Sequence, residues 1–182
     1  SNFGLSINYV VQNKPGGLPH AIASAERYLK NQNFVVILGD GFFKFKQFSN
    51  TVKKELNSFS KGARIFLSYV SNPEQYGKVI FTKKGIIFKE KEITNKVGQK
   101  AWVMNGLYFF DSSVFSKIDT LKYSMRNELE MVDLVAKFDR THNLSFVKLG
   151  NSCKWFDCGS PNEIQKSIIN FSLLEKKVTM EL

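Results

Sequence analysis

The chain has 182 residues, 43% hydrophobic and 14% aromatic, with 17 Phe. That is enough apolar bulk for one domain with a sizeable core, and no apolar run approaches the roughly 18 residues needed to span a membrane. Lys and Arg outnumber Asp and Glu by 26 to 16, a net charge of +10, but the lysines are scattered (Lys53-Lys54, Lys83-Lys84, Lys176-Lys177) and form no stripe with aromatics. The charge therefore reads as a solvated surface suited to an anionic, phosphorylated substrate, with no nucleic-acid or membrane partner.

Nothing at the N-terminus has the layout of a signal peptide, so a cytoplasmic location is the expectation. Cys153 and Cys158 read as a reduced pair rather than a metal site, because zinc normally takes four ligands.

Leu5 to Gln12 alternates like a strand. Asn13-Lys14-Pro15-Gly16-Gly17 is a loop by composition. Pro19 suits the first turn of a helix, and Ala21, Ile22, Ala25, Tyr28 and Leu29 share one of its faces. Phe34 to Leu38 is a continuous apolar run, as expected of a strand covered on both sides. Phe48, Val52, Leu56 and Phe59 predict a second helix, and Ile65 to Val70 a further strand. Alternation of this kind predicts a parallel sheet with helices packed on it. The pattern then changes. Tyr76 to Phe81, a Lys83-Lys84-Gly85 turn and Ile86 to Phe88 predict a β-hairpin. Trp102 to Phe110 is a long strand interrupted by Asn105-Gly106, where a Gly marks close approach of a ligand. Leu129 to Phe138 has helical spacing, and Leu144 to Leu149 is a short strand. Ser160-Pro161 opens the last helix. The expectation is one α/β domain over residues 1–182, a Rossmann-like, mostly parallel sheet flanked by helices, with a hairpin inserted.

The residues that carry chemistry sit at the ends of these strands. Leu38-Gly39-Asp40-Gly41 follows an apolar strand, at the edge where ligands bind in open parallel sheets. A carboxylate there can hold a divalent metal against phosphate oxygens; a plain Asp-Gly turn is the other reading. Trp155-Phe156-Asp157-Cys158-Gly159 repeats the pattern, so Asp40 and Asp157 are a candidate Mg²⁺ pair. Gln12 ends the first strand, and Gly16-Gly17 precede a helix N-terminus, which suits a base edge or a phosphate. Glu90-Lys91 offer an acceptor for sugar hydroxyls and a point charge for a phosphate, although Lys89 to Glu92 is also an ordinary charge run. Arg126 to Glu130 with Asp133 reads as mainly structural, with carboxylates favouring a helix dipole.

Taken in order, Val11-Gln12, Gly17-Leu18-Pro19-His20-Ala21, Leu38-Gly39-Asp40, Tyr76-Gly77-Lys78-Val79, Glu90-Lys91, Asn105-Gly106-Leu107-Tyr108-Phe109, Glu128-Leu129-Glu130 with Asp133, and Trp155 to Gly159 resemble the sugar-1-phosphate nucleotidyltransferases. The likeness covers nearly the whole chain and is strongest to the thymidylyltransferase branch. It implies the nucleotide-diphospho-sugar transferase fold. It also implies transfer of a nucleotidyl group from a nucleoside triphosphate, dTTP by this likeness, to a sugar 1-phosphate, with glucose as the sugar. Residue by residue, the resemblance gives Gln12 and Gly17 to the base and Asp40 and Asp157 to Mg²⁺. It gives Gly77 and Gly106 to backbone contacts with the sugar, Glu90 to its hydroxyls and Lys91 to its phosphate. Asp40, Lys91 and Asp157 would be the catalytic set. It further implies a homo-oligomer and a place in polysaccharide or deoxysugar synthesis.

The chain departs from the family pattern at Glu92, where Pro is usual, and at Gly41, where Asn is usual. The opening G-x-G-T-R…P-K segment, whose Arg and Lys neutralise the triphosphate, is not among these residues. The chain thus resembles the C-terminal two-thirds of the family domain, and low activity on its own is expected. The other reading is a non-catalytic homologue or fragment that binds a nucleotide-sugar or an active partner subunit.

Overall fold

Ala101–Phe110 (β6) is the strand on which the sheet is built, and it is buried without a break from Val103 onward. The computed structural model describes residues 4–44, 48–91, 99–150 and 153–169. One edge of β6 pairs antiparallel with Ala63–Val70 (β3), and β3 pairs on its far side, in parallel, with Leu144–Lys148 (β7). The other edge of β6 is shared. Phe34–Ile37 (β1) takes Leu107 to Phe110, while Lys78–Thr82 (β4) takes Trp102 and Val103. Gly85–Lys89 (β5) closes the hairpin with β4.

Between β1 and β4 the edge of β6 is held at two points. Leu38 N donates to Gly106 O at 3.0 Å, and Met104 N donates to Gly77 O at 2.9 Å. Gly106 sits there at φ 85°, and the register with β3 shifts between Ile65 and Leu67. A bulge of this kind needs the left-handed conformation that Gly adopts without a Cβ penalty. The interruption expected at Asn105-Gly106 is therefore where two strands divide one edge.

The α/β class and the helices on the sheet are as expected, and so is the direction of β1, β3, β4 and β7, which all run one way. Most direct neighbours are nevertheless antiparallel, because β6 runs against them and lies between β1 and β3. Alternation of strands and helices does not reveal that insertion.

Leu18–Ser24 (α1), Ser113–Ile118 (α4) and Met131–Arg140 (α5) share the larger core with Ile65, Leu67, Tyr108 and Phe110. In α5 every apolar residue from Met131 to Phe138 except Ala136 is buried, at the spacing of one helix face, and Asp133 and Arg140 suit the two ends of its dipole. On the other face of the sheet Phe66, Leu107 and Phe109 are covered by Phe48 and Val52 of Phe48–Ser58 (α3) and by Phe59. Glu26–Leu29 (α2) follows α1 after a break at Ala25, so the single helix expected from Pro19 to Leu29 is two. A helix over 161–169 (α6) is capped as expected: Glu163 N donates to Ser160 Oγ at 3.3 Å. The continuation expected beyond Ile169 and the charge-run residue Glu92 lie outside the described residues.

One expected strand is not there. Leu5 to Gln12 is irregular, with Ile7 58%, Tyr9 84% and Val11 80% exposed. Alternation says which residues could share a sheet face. A strand also needs a neighbouring strand to complete its backbone hydrogen bonds, and among the described residues no strand pairs with this segment. Three elements were not foreseen: α4, a short 3-10 helix Pro73–Gln75, and Gly41–Lys44 (β2), which forms a two-stranded ladder with Lys154–Asp157 (β8), the apolar strand expected to end at Asp157.

Candidate active site

After β1 the chain turns at Leu38, with Gly41 N donating back to Leu38 O at 3.3 Å. It re-enters as β2, and the antiparallel pairing with β8 sets Gly41 opposite Asp157. Cys158 N then donates to Asp40 O at 2.8 Å. The two Asp residues, 117 positions apart by subtraction of their numbers, are thus brought to the same end of one ladder.

Their carboxylates converge on Gly159. Gly159 N donates to Asp157 Oδ1 at 2.9 Å. A Cβ at position 159 would lie 3.1 Å from Asp157 Oδ1 and 3.3 Å from Asp40 Oδ2. The Tyr76 hydroxyl donates to Asp157. Burial first, then the negative charge of Asp157, raises the Tyr76 pKa well above the usual phenol range, so it stays a donor. The Tyr76 ring meets Trp155 edge-on with centroids 5.0 Å apart. The Trp155 indole N–H is buried without a partner among the described residues.

A cleft of about 210 Å³ opens beside this pair. Tyr76, Gly77, Glu90, Lys91, Arg126 and Glu130 line it, with Leu38 and Leu129 as apolar wall. Arg126 is shared by two carboxylates. Its Nη2 lies 2.6 Å from Glu130 Oε2 and 3.2 Å from Glu90 Oε1. Burial, and then the charge of Glu130, push the Glu90 carboxyl above its ordinary range against the pull of its hydrogen bond from Lys91 N and of Arg126. Tyr76 joins the two halves, since the residue lines the cleft while its hydroxyl holds Asp157.

Gly77 lets the β4 start pass Met104, whose methyl a Cβ would strike. Gly106 is not in the cleft wall. Its missing Cβ makes room for Leu38, which is. Gln12 and Gly17 do not line the cleft either. Gln12 Nε2 donates to Gly17 O at 3.1 Å and lies 2.8 Å from His20 Nδ1. Gly17 has φ 88°, and a Cβ there would run into the Leu129 carbonyl. Leu129 N in turn donates to Gly16 O at 2.8 Å. In this structure both residues brace the Leu129 wall.

The sequence profile described as nucleotidyl transferase matches residues 1–171. The chain belongs to the nucleotidyl transferase family. It is 34% identical over 169 residues to a glucose-1-phosphate thymidylyltransferase of Neisseria meningitidis serogroup A and 33% identical to that of Neisseria gonorrhoeae. Each match covers 92% of this chain and 57% of the relative, so the chain spans little more than half of their length. A solved glucose-1-phosphate thymidylyltransferase from Bacillus anthracis, in complex with a sucrose, superposes with TM-score 0.74 at 32% identity, over 90% of this chain and 64% of that one. A UDP-glucose pyrophosphorylase from Acinetobacter baumannii superposes with TM-score 0.71 at 22% identity over 97% of this chain and 64% of its own, a likeness of fold alone.

In this nucleotidyl transferase chain, three cleft or pair residues had no role from sequence. Tyr76 stood beside a motif glycine with nothing to show that it reaches Asp157. Arg126 was read as part of a helix approach, because nothing local says that it folds back onto Glu90. Trp155 was read as strand core. No helix among the described residues is long and apolar enough to cross a membrane.

Proposed function

We propose that this chain carries the metal- and sugar-phosphate-binding half of a Mg²⁺-dependent nucleotidyl transfer site, joining a thymidylyl group to glucose 1-phosphate with release of pyrophosphate. The observation that carries it is the convergence of Asp40 and Asp157 on Gly159. Two carboxylates at one point, held by an N–H and a phenol and with no ion pair among the described residues, are a donor set that suits Mg²⁺, which takes one or two carboxylates together with substrate phosphates. Among the described residues no third Asp, Glu, His or Cys joins them, which fits a metal that completes its shell from substrate and water.

Asp40 and Asp157 would hold the ion, which supplies neutralisation of charge on the phosphates. The chain's own residues supply position. Gly159 N–H and Tyr76 fix Asp157. Glu90 accepts from sugar hydroxyls, and Lys91 and Arg126 present positive charge to the sugar phosphate. The sugar phosphate oxygen attacks the α-phosphorus in line, and pyrophosphate leaves. Such a reaction needs orientation and charge neutralisation rather than a covalent catalyst. Thymine and glucose come from the Neisseria and Bacillus anthracis relatives' names.

The test is calorimetry of the nucleotide-sugar product on this chain, with and without Mg²⁺. Binding that depends on Mg²⁺, and loses that dependence in Asp40→Asn, is the expected result. Binding indifferent to both changes sinks the metal assignment. Pyrophosphate release from dTTP and glucose 1-phosphate then separates an enzyme from a fragment or homologue that only binds.

A further inference from the structure

Glu130 occupies the N-cap position of α5, yet its side chain makes no cap hydrogen bond. It turns onto Arg126 instead. Arg126 Nη2 donates to Oε2 at 2.6 Å and Nε to Oε1 at 3.3 Å, and Ser124 Oγ donates to the same Oε1 at 2.6 Å. The Glu130 side chain is 8% exposed, against 37% for Arg126. One buried carboxylate is thus satisfied by a guanidinium fork and a hydroxyl, the strong form of ion pair.

The turn that carries Arg126 is fixed as well. Ser124 N donates to Glu128 O and Asn127 N to Ser124 O, each at 2.9 Å, and Asn127 holds φ 58°. Arg126 also reaches Glu90 at 3.2 Å, a longer contact than the one to Glu130. Left to Glu90 alone, the guanidinium would settle as a closed pair over that carboxylate. Cation and acceptor would then cancel each other.

We propose that Glu130 is a positioning residue: it holds the Arg126 guanidinium at the cleft rim and keeps it from closing over Glu90, so that the cation and the acceptor both stay available to a sugar phosphate. The ligand in this statement rests on the reading under Proposed function; the geometry does not.

The experiment is a carboxyl NMR titration of Glu90 in the wild-type chain and in Glu130→Gln, with calorimetry of glucose 1-phosphate on both. Lys91, Arg126 and Glu130 are the charged groups that face Glu90, and the phenol of Tyr108 lies in its field. In Glu130→Gln, Arg126 moves onto Glu90 and a negative neighbour is lost, so the Glu90 midpoint falls by about one pH unit. Affinity for glucose 1-phosphate weakens roughly tenfold. A Glu90 midpoint that does not move in a folded Glu130→Gln overturns the proposal. Wild-type chain that binds no glucose 1-phosphate sinks the ligand reading instead, and the titration still judges Glu130.

A second measurement needs no variant. The Arg126 guanidinium protons should be individually resolved in the wild-type chain and stay so when Glu90 is protonated. One averaged signal, or resolution lost as Glu90 titrates, overturns the role given to Glu130.

Discussion

The two ends of the site solve charge in opposite ways. At the β2–β8 end, Asp40 and Asp157 face each other across Gly159 with an N–H and a phenol as partners and, among the described residues, no ion pair. At the cleft end, Arg126 lies between Glu90 and Glu130, and Lys91 stands beside them. Among the described residues the first end has no ion pair, which is what favours the proposed metal there. The second balances itself and offers a mixed polar surface to a neutral or anionic ligand. A residue list alone does not distinguish them, because each end contributes two carboxylates, and only the second pair lines the cleft.

Removing a charge should therefore have opposite consequences at the two ends. Asp40→Asn relieves repulsion, so without divalent metal its melting temperature should equal or exceed that of wild type. With Mg²⁺ it should lose metal-induced stabilisation, and any turnover should drop by roughly 3 kcal/mol, about a hundredfold or more. A variant destabilised without metal would mean that the pair is held by an internal cation, and the contrast would collapse.

Gly17→Ala should follow in size. A Cβ there meets the Leu129 carbonyl at a backbone φ of 88°, so a loss of about 2–3 kcal/mol is expected from chemical denaturation. Full stability in that variant would show that the cleft wall does not depend on this contact. Arg126→Ala should cost about 2 kcal/mol. It leaves Glu130 buried with only the Ser124 hydroxyl as partner and no countercharge, with a discount because Arg126 itself is partly exposed.

How far the chain could be read in advance follows the same division. The hairpin, the long strand, α3, α5 and the Ser160 cap were all legible, because each is a local pattern of apolar spacing or turn chemistry. Asp40 and Asp157 were legible as ends of strands. That they meet depends on the β2–β8 ladder, and β2 is short and begins with Gly, so no period marks it. Leu5 to Gln12 failed for the converse reason: its alternation was clear, but the neighbour that makes a strand is a tertiary fact. The family resemblance gives Gln12 and Gly17 to a nucleotide base; that the same two residues also brace the Leu129 wall is a tertiary contact no local pattern announces. Arg126 was invisible as a cleft residue, since its partner Glu90 is remote in sequence and only the fold joins them.

Tyr76→Phe sharpens the contrast at the carboxylate end. The ring packing on Trp155 is kept and a single hydrogen bond to Asp157 is lost. Stability should change by about 1 kcal/mol or less, while Mg²⁺ affinity falls several-fold because Asp157 is less well oriented. Unchanged Mg²⁺ affinity would remove Tyr76 from the metal end and leave it as cleft wall.

The smallest effect concerns the cost that the balanced end still carries. Glu90 is raised above its ordinary value, by burial first, so the folded chain favours its protonated form. Below the unfolded carboxylate pKa both states hold the proton and Glu90 adds no penalty. As pH rises from there through the raised folded value, the unfolded chain releases its proton first, and stability contributed at this position declines. Above that window the penalty is complete and constant. Glu90→Gln cannot titrate. The difference in unfolding free energy between wild type and Glu90→Gln should therefore shift against wild type across that window and level off above it. A difference that is flat with pH would mean that Arg126 compensates Glu90 completely. The longer of the two Arg126 contacts would then be as strong as the shorter, and the cleft would be a closed ion pair rather than an open one.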